Sequence, residues 1–438
     1  MTEPADDQPT PKVSSRHAYY ALFVLWMTNL LGNIDRFSVG LILQQIKVDL
    51  QLTDTQIGIL SGAAFVVAYT VFGFPIARWL DRGNRRNILA WSVGVWSAMA
   101  VAFGSAVSFV QIVLARAGLG AGEAACIPGA VSLIGDYFKR EKRTQAIGVL
   151  HSALAVAGII GNPLMGVLTD QFGWRVAVIA FGVIGLFLAF VVRWTISEPP
   201  RLSVRSETLA DGSLAGRDTL LRALRVMFSN KAFLFLLAGH AVYGIGIYAF
   251  VSWYPVTLVR AYGLTYTEIG LYIGTWMGIA MLIASLASGW ICPAIARRMN
   301  DDRWLAILPA IFCLLSVPAM ALVSMDVSQS VALIAGGVVL FMTVARTPVM
   351  LSLALDLVPA SMHSLGTLVV VIVTTSIGAA VGPILVGLIS DSVVAEVGAS
   401  AALRHGLLLT APVFGLLGAL LAFLPARFMA RKLVQLPA

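Results

Sequence analysis

Apolar stretches long enough to cross a bilayer recur along the chain at 18–46, 55–79, 87–107, 109–136, 144–169 and 174–195. A polar stretch at 196–230 interrupts the series. Six more follow at 231–259, 267–294, 304–324, 329–355, 364–390 and 405–426. A helix needs about 20 apolar residues to span the hydrocarbon core, so the pattern predicts an all-α membrane protein with twelve transmembrane helices. Strands of a closed barrel would give shorter segments that alternate residue by residue, which excludes that class. The pattern divides the chain into an N-terminal tail (1–17), a six-helix bundle (18–195), a linker (196–230), a second six-helix bundle (231–426) and a C-terminal tail (427–438). Residues 1–15 are polar and lack the apolar stretch of a cleavable signal.

Composition agrees with this division. The 438 residues are 58% hydrophobic and 12% charged, about half the charge of a soluble domain. There are 30 Lys and Arg against 22 Asp and Glu, a net charge of +8. In a soluble protein that excess would raise nucleic acid as a partner. Here 23 of the 30 basic residues fall in the tails and loops on one side, and only Lys47, Arg175, Arg260 and Arg404 on the other. By the positive-inside rule both termini are cytoplasmic. The excess is topology, no nucleic-acid partner is implied, and the expected location is a cell inner membrane crossed many times. The three cysteines, Cys126, Cys292 and Cys313, lie in or at the ends of apolar stretches without metal-ligand spacing. Gly118, Gly120 and Gly122 sit inside a span with no strand before them, so they form no dinucleotide loop. No cofactor is expected, and no catalytic constellation points to an enzyme.

The two halves repeat. Gly161-Asn-Pro-Leu-Met-Gly166-Val-Leu-Thr-Asp170 matches Gly382-Pro-Ile-Leu-Val-Gly387-Leu-Ile-Ser-Asp391 at an offset of 221 residues. Paired repeats with a substrate site near the midplane between them are a recurring plan of secondary transporters.

A charge inside a span costs several kcal/mol unless paired or hydrated, so the few present mark candidate function. Asp35 and Arg36 are neighbours and point to different sides of one helix. Arg116 and Glu123, seven residues apart, share a face about 10.5 Å apart. Such a group either gains and loses protons as a cavity alternates between wet and closed, or forms a static network tying two helices together. Arg346 lies ten residues before Asp356, as Cys126 lies ten before Asp136, which places it near the depth of Glu123. It either holds an anionic headgroup by bidentate contacts or bridges to a carboxylate of the other half and closes the cytoplasmic gate. In the seventh span His240 and Tyr243 share a face and are candidate cavity lining, His240 also fitting a packed role. Trp253 and Tyr254 near its outer end are expected as interface anchors.

The loop after the second span, Ala77-Arg-Trp-Leu-Asp81-Arg82-Gly-Asn-Arg85-Arg86, resembles the loop 2–3 motif of the major facilitator superfamily, with Ala77 and Asn84 in place of glycines. Its second-half counterpart, Gly289 to Arg298, carries Pro293 where the motif has aspartate. Arg116-Ala-Gly-Leu-Gly120-Ala-Gly122 is similar to that superfamily's fourth-helix motif. Asn33-Ile-Asp35-Arg36, Gly122-Glu123-Ala124, Asp136-Tyr-Phe, Gly173-Trp-Arg175 and Glu198-Pro-Pro-Arg201 are most like its bacterial spinster-type branch. The resemblance implies a monomeric transporter working by alternating access. It implies proton coupling through Asp35, Glu123, Arg116 and Arg36, and export or exchange of an amphipathic, lipid-like anion of the lysophospholipid or sphingoid-phosphate type. Arg346, Tyr243, His240 and Arg36 are the expected substrate contacts, although spinster relatives usually carry a small residue near the place of Arg346. Asp81, Arg82, Arg85 and Arg86 are the expected latch of the outward-open state. Organic-anion importers share the Asp-Arg and Gly-Glu-Ala signals, so a small organic anion is the alternative cargo. A sensor of the same fold is a second alternative.

Overall fold

The computed structural model describes residues 14–138, 140–199, 224–359 and 363–431. These form twelve long helices and, among the described residues, no strand. In the first half they are α1 (Ser15–Leu50), α2 (54–82), α3 (Arg85–Ser105), α4 (Phe109–Tyr137), α5 (140–172) and α6 (174–195). In the second half they are α7 (Lys231–Tyr262), α8 (Tyr266–Met299), α9 (Trp304–Val323), α10 (Gln329–Asp356), α11 (His363–Val397) and α12 (Ala399–Ala422). All twelve expected spans are present. Ten helical stretches are long and apolar enough to cross a membrane. One of them, Gln145–Thr195, contains both α5 and α6, which part only at Gly173 with φ 80°. Helix α1 is not among the ten; it carries Asn29, Asn33, Asp35 and Arg36 in its middle. Of the expected linker, residues 200–223 lie outside the described residues.

Within each half, helices pack on their neighbours: α3 on α6 and α4, α7 on α11 and α12, α9 on α10. Between halves, the packing runs along two seams, α2 against α11 and α5 against α8. Glycines make both possible. A Cβ at Gly387 would fall on the Asp54 carbonyl, and one at Gly166 on the Tyr266 carbonyl. Gly58 and Gly62 likewise meet the backbone of Pro383 and Ala379, and Gly270 and Gly274 that of Asn162 and Gly158. Lipid tails offer no hydrophobic drive between helices, so close backbone approach through small residues supplies the contact. Helices α2, α5 and α8 each contain a π-helical turn, at Ile59–Ala63, Ala157–Gly161 and Leu271–Trp276. Such turns concentrate at functional positions; here all three lie on the seams.

The halves meet at the end of the bundle remote from the chain termini, called the far end below. Contacts between the halves, such as those of Asp54, Arg260, Asp170 and Thr275, lie on that side or at mid-depth. Among the described residues, the structure is closed at the far end and parted at the other.

Two aromatic residues depart from expectation. Trp253 and Tyr254 are fully buried rather than anchored at an interface. The Trp253 indole N–H donates to the Pro383 carbonyl at 3.0 Å, and the Tyr254 hydroxyl to the Ala332 carbonyl at 3.2 Å. Helix α7 is central in its half, so both rings of its outer end face protein.

Candidate substrate and coupling site

Helices α1, α2 and α4 bring four of the intramembrane charges together as two parallel ion pairs. Arg36 donates to the same oxygen of Glu123 through Nε at 2.8 Å and Nη2 at 2.6 Å. Arg116 Nη1 donates to Asp35 Oδ2 at 2.9 Å. Adjacent residues of α1 diverge, and the two-turn spacing on α4 receives both. The Phe65 ring of α2 lies beside the two guanidiniums, 5.3 Å from Arg36 and 4.9 Å from Arg116, while Tyr69 faces Arg36 at 5.1 Å. Glu123, Asp35 and Arg116 are buried, but the Arg36 side chain is 38% exposed and is the member that faces outward. The second oxygen of Glu123 has no hydrogen-bond partner and looks toward Gly32, where a Cβ would stand 3.8 Å away. Immediately after Glu123, α4 loosens for two residues at Ala124 and Ala125 before Cys126 resumes it.

Arg346 differs from the other two arginines. It is buried, its guanidinium lies 4.6 Å from the Tyr243 ring, and Nη1 reaches only the Met350 sulfur at 3.6 Å. Its Nε has no partner, and among the described residues no carboxylate pairs with it. The bridge to a carboxylate of the other half, one of the two roles open to Arg346, is not formed among the described residues in this conformation. Tyr243 and His240 sit behind Arg346 rather than lining an open cavity, since α12 packs against Tyr243 through Gly418. The Tyr243 hydroxyl is held by Ser316 at 2.9 Å and Thr343 at 3.2 Å. His240 Nδ1 is 2.9 Å from the Leu236 carbonyl, and Nε2 is buried without a partner. Tyr248, half-buried, lies within electrostatic reach of both Arg346 and Arg36.

The loop-motif residues separate. Arg85 is buried and bonds Asp136, Glu198 (2.8 Å) and the Pro199 carbonyl (3.2 Å). The Arg86 backbone N–H donates to Glu198 at 2.8 Å, and its side chain to the Ile196 carbonyl at 3.4 Å. These contacts tie α3 to α4 and to the start of the linker, all within one half. Arg82 is exposed, and the Asp81 side chain lies outside the described residues.

The far-end seam holds a buried carboxylate, Asp54, that the pattern of spans does not single out. Asp54 is buried and accepts from Lys47 (2.5 Å), from both terminal nitrogens of Arg260 (2.6 and 2.9 Å) and from Ser390 (2.6 Å). A signal for it existed. Leu52-Thr-Asp-Thr-Gln-Ile-Gly58 repeats as Leu264-Thr-Tyr-Thr-Glu-Ile-Gly270 at an offset of 212 residues, and it opens α2 and α8.

Residues 25–383 match the model of the Major Facilitator Superfamily. The chain belongs to that superfamily. An "MFS-type efflux pump" of Mycolicibacterium smegmatis is 27% identical over 427 residues, covering 96% of this chain and 95% of the pump. A probable L-galactonate transporter of Escherichia coli is 28% identical over 303 residues, covering 67% of this chain and 66% of that one. A sphingosine-1-phosphate transporter of Danio rerio is 28% identical over 244 residues, covering 54% and 47%. Among solved structures, a bacterial homologue of the lysosomal transporter spinster, inward-facing and unoccupied, superposes with a TM-score of 0.82 at 24% identity, covering 95% of this chain and 98% of that one. This major facilitator protein therefore has the fold of that transporter, and its relatives are transporters rather than enzymes.

Proposed function

We propose that the chain is a proton-coupled secondary transporter of an amphipathic organic anion, working by rocking of its two six-helix halves, residues 18–195 and 231–426. The observation that carries this proposal is Arg346: a buried guanidinium with no carboxylate partner among the described residues, whereas Arg36 and Arg116 each have one. With both pairs ionised, the intramembrane centre keeps one positive charge, which an anionic cargo neutralises. The guanidinium lies 4.6 Å from the Tyr243 ring, and its planar fork suits a bidentate carboxylate or phosphate. Glu123, with one oxygen on Arg36 and the other unpaired, is the carboxyl through which a proton enters the cycle. When an anion claims the exposed Arg36, Glu123 loses its counter-charge and takes up a proton. Both termini lie in the cytoplasm, as the basic residues require, and the protein acts as a monomer in the cell inner membrane. The parted end is then the cytoplasmic one.

A second reading has its own support. Thr343 hydrogen-bonds Tyr243 beside Arg346, and Thr347 follows Arg346 on α10; such hydroxyls would suit a small sugar acid such as the cargo named for the Escherichia coli relative. Flux into proteoliposomes, with galactonate and sphingosine-1-phosphate as probes and an imposed pH gradient, separates the two. Accumulation of either probe that collapses with the gradient supports coupling. Flux indifferent to the gradient removes it, and binding without flux of either probe would leave a sensor.

A further inference from the structure

The far-end closure rests on two matched carboxylates. A helix begins with N–H groups that have no partner inside it. In α2 the third of these is met by Thr53 in a capping box with Gln56, and in α8 by Thr265 with Glu268. The first two are met by the other half. Asp391 of α11 accepts the Asp54 and Thr55 N–H groups at 2.8 Å each. Asp170 of α5 accepts the Tyr266 and Thr267 N–H groups at 3.1 and 2.7 Å, and the Thr267 hydroxyl at 2.6 Å. These are the closing aspartates of the two Gly-to-Asp repeats, each docked on the opening of a Leu-Thr-x-Thr-x-Ile-Gly repeat. A carboxylate at a helix N-terminus also meets the positive end of the helix dipole.

The two seams are unequal. At the first cap position α2 carries Asp54, which binds Arg260 of α7 and Ser390 of α11 across the seam and Lys47 on its own side. Helix α8 carries Tyr266 there. Opening the α2–α11 seam breaks a cap and a buried ion-pair cluster; opening the α5–α8 seam breaks a cap and the Thr275 bond to the Ile159 carbonyl.

We propose that Asp170 and Asp391 are paired gate residues that hold the far end shut from opposite halves, and that Asp54 makes the α2–α11 seam the one that controls opening. The proposal rests on membership of the superfamily and on alternating access, and is independent of the cargo.

Distances between spin labels in the full chain, reconstituted in nanodiscs, test it. Labels at Gln51 and Glu396 report one seam, and labels at Gln171 and Leu271 the other; all four positions are exposed. Asp54→Asn and Asp391→Asn are expected to raise the far-end-open population about tenfold, the scale of one hydrogen bond to a charged group. Asp170→Asn should raise it about threefold and act mainly on its own label pair. Equal shifts from Asp170→Asn and Asp54→Asn overturn the asymmetry, and unchanged distances in all three overturn the gate. Arg260→Gln added to Asp54→Asn should change little further, because both act through one ion pair; additive shifts overturn that step. If Asp391→Asn does not fold, Asp391→Ser, which lacks a second acceptor, carries the same expectation.

Discussion

Replacing Arg346 with methionine should weaken anion binding while leaving the fold as stable as before, or more so. The side chain is 8% exposed and has no carboxylate partner among the described residues. A buried charge without a partner costs several kcal/mol, and apolar replacements of such groups are often neutral or stabilising. Methionine fills similar volume beside Met350 and Tyr243. If the guanidinium exists to hold cargo, its loss removes a charge-assisted bidentate contact of about 3 kcal/mol, roughly 150-fold in Kd. Arg346→Lys keeps the charge but loses the flat fork and its fit against Tyr243, so a loss of about tenfold is expected. The assay pairs thermal unfolding of the reconstituted protein with counterflow of galactonate and sphingosine-1-phosphate. A methionine variant that melts well below the parent and transports normally would refute the reasoning, since Arg346 would then support structure rather than cargo.

Arg116→Met should do the reverse, leaving Asp35 unpaired in the bundle and costing about 3–5 kcal/mol of stability; Asp35→Asn in the same chain should recover part of the melting temperature. Glu123→Gln should abolish the response of flux to a pH gradient while sparing exchange of cargo, and gradient-driven accumulation that persists would move coupling elsewhere. Gly387→Leu should prevent far-end closure, because its Cβ would fall on the Asp54 carbonyl; label distances at Gln51 and Glu396 would stay long. Arg85→Ala should destabilise the first half by leaving Asp136 and Glu198 without their cation, with no shift in the opening equilibrium.

The twelve helices were legible because bilayer thickness imposes a length that hydrophobicity displays directly. The ion pairs were half legible: the spacing of Arg116 and Glu123 put them on one face, but only packing decides that Arg36 takes Glu123 and Arg116 takes Asp35. Trp253 and Tyr254 misled because an outer-end aromatic looks the same whether its helix faces lipid or protein. The seam cluster was overlooked for a different reason. Asp54 and Asp391 lie at helix ends, where a charge reads as solvated, and nothing in either local sequence says that the two ends meet. The Leu-Thr-x-Thr-x-Ile-Gly repeat carries that information only when it is set beside the Gly-to-Asp repeat that docks on it.

The unpaired arginine also has an electrical consequence. With both pairs ionised, Asp35, Arg36, Arg116 and Glu123 cancel, so on the proposed cycle the empty carrier has one net positive charge, at Arg346. A full charge crossing the bilayer field gains or loses about 2.3 kcal/mol per 100 mV, and a rocking motion moves this charge through part of that field. The membrane potential therefore biases the return of the empty carrier. On the proposed cycle the cargo enters with a proton on Glu123, so a monovalent anion leaves the loaded carrier with the same single positive charge, whereas a dianion cancels it and makes the loaded carrier indifferent to voltage. The valence of the cargo thus decides whether the cell's potential acts on the loaded carrier as well as on the empty one.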